Sequence, residues 1–176
     1  MRYFSLSAII LSVVTACCIA MLNVAIAGSI NVGLNGGYVN ADHDGLNDND
    51  LYNAQLYCQY RFDGGFGIEG GYNVFAGGEV GSKDVTTHGP YTAASLNADM
   101  GENLDLFTRA GVMYALQDGD VESHQRISPF LGLGAQFAFT DNFYGRVGYD
   151  HYFKTNKTEE VEANLDLFYA GLGFAF

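Results

Sequence analysis

Hydrophobic and polar residues alternate with a period of two along most of the chain that follows Gly28. In the first of these stretches, Ile30 and Val32 alternate with Asn31 and Asn35. Such alternation is typical of a β-strand with one apolar and one polar face. The pattern predicts eight strands, near residues 30–38, 53–62, 66–74, 92–100, 104–114, 128–139, 143–153 and 168–176. Four apolar residues fall on the polar side of the pattern: Phe75, Phe107, Met113 and Leu167.

The segments between these strands alternate strictly between long and short. Three short turns, at 63–65, 101–103 and 140–142, contain the Gly, Asp and Asn residues that favour turns. Four long polar connections lie near residues 40–51, 76–90, 117–126 and 154–162. In an up-and-down barrel this order places all long connections at one rim, as in outer-membrane barrels. The sequence therefore predicts an all-β fold, an eight-stranded antiparallel up-and-down transmembrane β-barrel.

The apolar face of the sheet is predicted to point outwards, towards lipid. A soluble barrel with an apolar interior has the same alternation, so other features must decide. The apolar faces end in aromatic residues such as Phe66. In outer-membrane barrels, girdles of aromatic residues occupy these positions at the two membrane interfaces. The C-terminus also resembles the terminal β-signal of outer-membrane barrels, with aromatic residues and Gly at the required spacing: Tyr169, Gly171, Phe174 and Phe176.

Residues 1–27 are predicted to be a signal peptide. A single charged residue precedes a long apolar stretch, and the sequence Ala-Ile-Ala at 25–27 matches the small-x-small cleavage motif. An uncleaved membrane anchor and lipoprotein processing at Cys17 are the alternatives. Cleavage after residue 27 leaves an outer-membrane β-barrel domain over residues 28–176. Cys58 is the only Cys of that domain, which excludes an intramolecular disulfide.

Acidic residues outnumber basic ones by 20 to 8, which gives a net charge of −12. Such a chain lacks the clustered Lys and Arg that binding to nucleic acid requires. Separately, we predict no cofactor. Most of the acidic residues fall within the four long connections: Asp42, Asp44, Asp48, Asp50, Glu79, Asp84, Asp118, Asp120, Glu122, Glu159, Glu160 and Glu162. The sequence therefore predicts a barrel with acidic extracellular loops.

Three stretches resemble the transmembrane domain of the outer membrane protein A family, whose small eight-stranded barrels include surface antigens. They are FGIEGGY at 66–72, NLDLFTRAG at 103–111, and ISPF at 127–130 through RVGY at 146–149. The resemblance covers nearly all of residues 28–176. Larger members of the family continue into a periplasmic peptidoglycan-binding domain, which we expect this chain to lack.

The resemblance also implies that three residues belong to the charge cluster inside the family's barrels: Glu69, Arg109 and Arg146. At two other positions of that cluster, Asp99 and Gln136 replace a Lys and a Glu of the family. The replacement of Lys by Asp makes gating through an exchange of ion pairs doubtful.

Alternation independently places seven charged residues on the inward face: Arg61, Glu69, Asp99, Asp105, Arg109, Arg146 and Asp150. Because an unpaired buried charge costs several kcal/mol, we expect these residues to form a paired network. The network acts either as a structural plug that fixes strand register or as an ion-conducting gate, and the plug is favoured.

No catalytic residue and no metal site are predicted. Asp120, Ser123 and His124 are the residue types of a lipid acyltransferase, but polar loops bring such residues together by chance. The acidic segment 42–50 resembles calcium-binding loops in composition and lacks their spacing. We therefore expect a protein that is not an enzyme.

The predicted role is envelope-structural or surface-interacting, such as adhesion or colonisation, at the outer membrane of a Gram-negative cell. The alternatives are a small porin-like channel, a lipid-modifying outer-membrane enzyme and a soluble ligand-binding barrel. The expected partners are outer-membrane lipid, the barrel-assembly machinery, which recognises the C-terminal strand, and a host or cell-surface molecule at the loops. We expect the barrel to be a monomer.

Overall fold

Eight strands form one closed sheet in the computed structural model, which describes residues 28–42, 51–80, 83–118, 125–158 and 161–176. The strands are β1 (Gly28–Asp42), β2 (Leu51–Phe62), β3 (Phe66–Val80), β4 (Lys83–Asp99), β5 (Leu104–Asp118), β6 (Gln125–Ala138), β7 (Phe143–Thr158) and β8 (Val161–Ala175). Each strand pairs antiparallel with the next, and β8 pairs with β1 to close the barrel. The predicted fold is confirmed. Within the described ranges, no helix is long and apolar enough to cross a membrane.

The two faces of the sheet follow the period-two pattern. On the outward face Leu34 is 63% exposed, whereas its neighbour Asn35 on the inward face is 4% exposed. The four apolar residues that break the pattern point inwards and are each at most 2% exposed: Phe75, Phe107, Met113 and Leu167. They interrupt the alternation because they fill the barrel interior instead of lying on the outward face.

Aromatic residues on the outward face gather at the two edges of the apolar band, as in outer-membrane barrels. The edge at the short-turn rim carries Phe62, Phe66, Phe137, Phe139, Phe143, Phe174 and Phe176, several of them in ring contact. The opposite edge, at the long-connection rim, carries Tyr residues as well: Tyr38, Tyr52, Tyr114, Tyr149, Phe153 and Phe168. Tyr suits an interface because its ring is apolar and its hydroxyl needs a polar partner.

The short turn between β2 and β3 depends on glycine. Gly64 and Gly65 have φ angles of +93° and +85°, a left-handed conformation that residues with a Cβ rarely adopt. At Gly65 a Cβ atom would also lie 2.3 Å from the carbonyl oxygen of Asn97. That oxygen lies close because the backbone N–H of Asn97 donates to the carbonyl of Gly65 at 2.7 Å, which ties the turn to β4.

The strands continue into segments that the sequence assigns to long connections. β3 reaches Val80 before β4 begins at Lys83, and β7 reaches Thr158 before β8 begins at Val161. The predicted connections at 76–90 and 154–162 are therefore too long, and His88 lies in β4 instead of a loop. Polar side chains mark these segments as loops, but strand pairing needs only backbone hydrogen bonds.

Three predictions lie outside the described residues. They are the signal peptide over residues 1–27 with its alternatives, the acidic segment from 43 to 50, and the loop that contains Ser123 and His124.

Candidate functional site

Four charged side chains meet inside the barrel: Glu69 on β3, Arg109 on β5, and Arg146 and Asp150 on β7. Each of them is at most 2% exposed. We call these four residues the charge cluster. Because it contains two cations and two carboxylates, the cluster is neutral overall, which limits the cost of burying its charges.

Arg109 joins the two carboxylates of the charge cluster. Its Nε donates to Oδ1 of Asp150 at 2.9 Å, its Nη2 donates to Oδ2 of the same carboxylate, and its Nη1 donates to Oε1 of Glu69. Arg146 Nη1 donates to the other oxygen of Glu69 at 2.9 Å, and the hydroxyl of Tyr91 donates to Oε1 at 2.7 Å. Both carboxylates are thus held by charge-assisted hydrogen bonds, the strongest type in proteins.

Aromatic rings enclose both guanidinium groups of the cluster. The guanidinium carbon of Arg146 lies 4.5 Å from the ring centre of Tyr57 and 4.3 Å from that of Phe107. That of Arg109 lies 5.1 Å from the ring of Tyr169. Such cation–π contacts stabilise cations that have lost their water. The sequence places Phe107 on the polar side of the pattern and Tyr169 in the predicted β-signal, but it does not predict that their rings contact the guanidinium groups, and it does not single out Tyr57.

Glycine makes the space that the charge cluster occupies. A Cβ atom at Gly132 would lie 2.0 Å from Oδ1 of Asp150, and one at Gly148 would lie 2.4 Å from the ring of Tyr169. Large inward side chains therefore face glycines on the next strand. This explains why Gly occupies many of the positions that point into the barrel near the charge cluster.

The remaining predicted interior residues lie apart from the charge cluster. Arg61 and Asp105 form an ion pair near the short-turn rim, where each side chain is 25% exposed. Among the described residues, Asp99 does not join the predicted network: it ends β4 at the open rim, is exposed to water, and accepts a hydrogen bond from the backbone N–H of Gly101 at 2.8 Å. Gln136 is buried, and its Nε2 has no hydrogen-bond partner among the described residues.

The two ends of the interior differ in packing. Between the charge cluster and the long-connection rim, the space is filled by an apolar plug, in which each side chain is at most 2% exposed: Phe75, Met113, Phe130, Tyr152 and Leu167. The rings of Phe130 and Tyr152 stack with centres 4.9 Å apart. At the short-turn rim a polar cavity of about 410 Å³ opens, lined by residues that include Arg61, Asp105 and Gln136.

The residues of the predicted β-signal divide between the two faces of β8. Tyr169 points inwards to Arg109, and Gly171 has no room for a Cβ, which would lie 2.1 Å from the carbonyl oxygen of Leu34. Phe174 and Phe176 are exposed on the outward face, with ring centres 5.0 Å apart.

The histidines in the described part of the chain, His88 and His151, are on the outward face and do not enter the lumen. His88 Nδ1 lies 2.6 Å from the hydroxyl of Tyr72, and His151 Nδ1 lies 2.6 Å from Oδ1 of Asp166. In the same described ranges, His, Cys, Asp and Glu side chains form no group of three or more that could hold a metal ion.

A family comparison identifies the protein class. The family described as outer membrane protein beta-barrel domain matches residues 9–176. The chain belongs to this family. It is therefore a barrel of the outer membrane, and its apolar outward face contacts the lipid of that membrane.

Individual relatives agree with the family. Outer membrane protein A of Yersinia pseudotuberculosis is 26% identical over 151 residues, which are 77% of this chain and 43% of the relative. This chain thus spans less than half the length of that relative. Two solved structures share the fold. Neisserial surface protein A has a TM-score of 0.71 at 16% identity, covering 85% of this chain and 99% of its own. Ail of Yersinia pestis, solved with the heparin analogue sucrose octasulfate, has a TM-score of 0.63 at 18% identity and the same coverages.

Proposed function

We propose that this barrel is a surface-interaction protein that binds a partner through its long-connection rim. The closed interior carries the proposal. The apolar plug and the neutral charge cluster fill the lumen, so the walls and rims of the barrel are the surfaces left for recognition. Loops at the end of a rigid barrel are a common place for binding sites.

The charge of the rim favours a basic partner. The segments that the sequence predicts as long connections carry twelve acidic residues and only four basic ones, which lie at the ends of strands near this rim: Lys83, Arg126, Lys154 and Lys157. Ail was solved with a polyanionic ligand, but a polyanion would be repelled by a rim of this composition. Complementary charges steer association and suppress wrong partners. We therefore propose adhesion to a basic protein surface.

Binding of the barrel in nanodiscs to lysozyme, a basic probe protein, and to heparin tests this proposal. We expect salt-sensitive binding to lysozyme and none to heparin. Replacing Asp42, Asp44, Asp48 and Asp50 by Asn should weaken lysozyme binding. The matched control replaces four acids of the short-turn rim by amides: Asp63, Asp99, Glu102 and Asp141. Equal losses in both variants, or tighter binding to heparin, contradict the proposal.

A small channel is the second candidate, because the polar cavity of about 410 Å³ enters the barrel from the short-turn rim. The apolar plug beyond the charge cluster opposes it. We expect no discrete conductance steps in planar bilayers at high protein load, and reproducible steps in proportion to protein would favour the channel.

We further infer that the barrel is a monomer without enzymatic activity and that the assembly machinery recognises its C-terminal strand. The exposed rings of Phe174 and Phe176 supply an outward apolar edge for that recognition. Phe176→Ala should lower the amount of protein in the outer membrane, whereas Phe139→Ala, at the same rim, should not. Equal amounts of the two variants contradict a specific role of the C-terminal strand.

A further inference from the structure

The two arginines of the charge cluster differ in how many of their N–H groups are paired. The Nε and Nη2 atoms of Arg109 both donate to Asp150, and its Nη1 donates to Glu69. Arg146 donates only through Nη1, to the other oxygen of Glu69 at 2.9 Å. Its Nε and Nη2 have no hydrogen-bond partner within the described ranges, although the residue is 1% exposed. One edge of a buried guanidinium thus lacks an acceptor from these residues.

This unpaired edge is the one that binds an anion most strongly. Nε and Nη2 form a planar fork that suits two oxygens of a carboxylate, and Arg109 uses the same fork to hold Asp150. The ring centres of Tyr57 and Phe107 lie 4.5 Å and 4.3 Å from the guanidinium carbon of Arg146, and ring faces offer no lone pairs to its N–H groups. Buried N–H groups of charged side chains are costly to leave unpaired, so we expect a partner from solution.

Gln136 adds a third N–H donor beside this edge. It is the cross-strand partner of Arg146 in the pairing of β6 with β7, and both side chains are buried inside the barrel. Its Nε2 likewise has no partner among the residues that the structure describes. Because opposite residues of an antiparallel pair have Cβ atoms about 5 Å apart, the amide of Gln136 can reach a ligand held by the fork of Arg146.

Negative charge within the cluster is concentrated around Arg109. Of the four carboxylate oxygens of Glu69 and Asp150, three accept hydrogen bonds from Arg109 and only one accepts from Arg146. The charge of Arg146 is therefore the less completely compensated of the two, and its unpaired edge lies on the opposite side of the guanidinium from Glu69.

We propose that the unpaired edge of Arg146 and the amide of Gln136 bind a small monovalent anion such as chloride. An anion accepts hydrogen bonds from all three N–H groups, whereas a single water has two lone pairs and must also find acceptors for its own hydrogens. The attraction between the anion and the guanidinium is strengthened by the low dielectric of the interior. The same N–H donors repel a metal ion.

The polar cavity of about 410 Å³ at the short-turn rim gives access to this site, since Gln136 lines it. Asp99, Glu102 and Asp141 also line the cavity, but their carboxylates are exposed to water, so salt screens their repulsion of an entering anion. The apolar plug closes the other end of the lumen. The anion therefore binds without passing through the barrel, and its site is independent of the partner at the long-connection rim.

Anomalous diffraction from crystals of the folded barrel grown in sodium bromide tests the position of the site. Bromide scatters anomalously at its absorption edge, whereas water does not. We expect a bromide peak within hydrogen-bonding distance of Nε and Nη2 of Arg146, and none at the fork of Arg109, which Asp150 occupies. Density at Arg146 without an anomalous signal, or bromide peaks only on the outer surface, overturns the proposal.

Urea unfolding in lipid vesicles tests the energetic link, with chloride exchanged for the larger anion gluconate at constant ionic strength. We expect chloride to lower the equilibrium constant for unfolding about tenfold when its concentration is about ten times its dissociation constant. Gln136→Glu places a carboxylate beside Arg146 and should abolish this dependence. The matched control is Asp105→Asn, in the same cavity, which should retain it.

A shift in gel mobility between boiled and unboiled samples shows that each variant is folded. Equal stability of the unmodified barrel in the two salts overturns the proposal. The same holds if Gln136→Glu and Asp105→Asn respond equally to chloride.

Discussion

The barrel interior contains two ion-pair sites of similar chemistry in different surroundings. In the charge cluster every side chain is at most 2% exposed, whereas Arg61 and Asp105 at the short-turn rim are each 25% exposed. Water can solvate either partner of the rim pair if the other is removed. It cannot reach the charge cluster, so removing one partner there leaves a buried charge uncompensated. The surroundings, more than the pairing itself, determine what each site contributes to stability.

The largest expected effect is that of Arg109→Met. This change leaves Asp150 without a cation and Glu69 with only one, and we expect a loss of about 3–5 kcal/mol in the free energy of unfolding. Urea unfolding of the barrel in lipid vesicles measures it. The control is Arg61→Met, which removes a guanidinium from the rim. Equal destabilisation of the two variants would show that burial does not determine the cost of removing a cation.

Glycine at the charge cluster gives the next effect. Gly132→Ala places a Cβ atom against Asp150, whose carboxylate is held on both oxygens by Arg109 and cannot move away freely. We expect a loss of about 1–3 kcal/mol, measured by the same unfolding experiment. Gly36→Ala is the control because nothing lies within 4 Å of its added Cβ. A loss no larger than that of the control would mean that the side chains of the charge cluster shift to make room for the added methyl group.

Glu69 and Arg146 are expected to be energetically coupled, because they form an ion pair inside the charge cluster. Glu69→Gln and Arg146→Met each leave a buried charge that has lost this ion-pair partner. The double variant removes one charge of each sign. We expect the double variant to be less destabilised than the sum of the single variants, by at least about 1 kcal/mol. A double-mutant cycle measures the difference. Additive effects would show that the two side chains act independently.

The smallest effect belongs to the rim pair. Asp105→Asn should change the free energy of unfolding by less than about 1 kcal/mol, because water screens a partly exposed ion pair. Raising the salt concentration should reduce this difference and leave the effect of Arg109→Met largely unchanged. A strong salt dependence of the Arg109→Met effect would contradict the assigned burial of the charge cluster.

The sequence predicts the barrel because each strand carries its own period-two signal, and parity alone places Glu69, Arg109, Arg146 and Asp150 inside. The alternation shows whether a side chain points inwards or outwards, but it does not show how far the residue lies from the end of the barrel. Asp99 has the inward parity, but it lies at the open end of β4, where water solvates it. Which charges pair depends on how the closed sheet brings non-adjacent strands together, and no local pattern encodes this. The positions at which the strands end also cannot be predicted from the hydrophobic pattern, because backbone pairing continues through polar residues beyond the apolar band.

The path of the hydrogen bonds within the charge cluster has a consequence for the rates of folding and unfolding. They join β3 to β5, β5 to β7 and β3 to β7, and none joins adjacent strands. Successive hairpins can therefore form without them, and we expect the bonds to form only when the sheet curls far enough to bring β3, β5 and β7 together. Interactions that form after the folding barrier slow unfolding and leave the folding rate nearly unchanged. The charge cluster is therefore expected to lengthen the lifetime of the inserted barrel, although it does little to hasten its insertion.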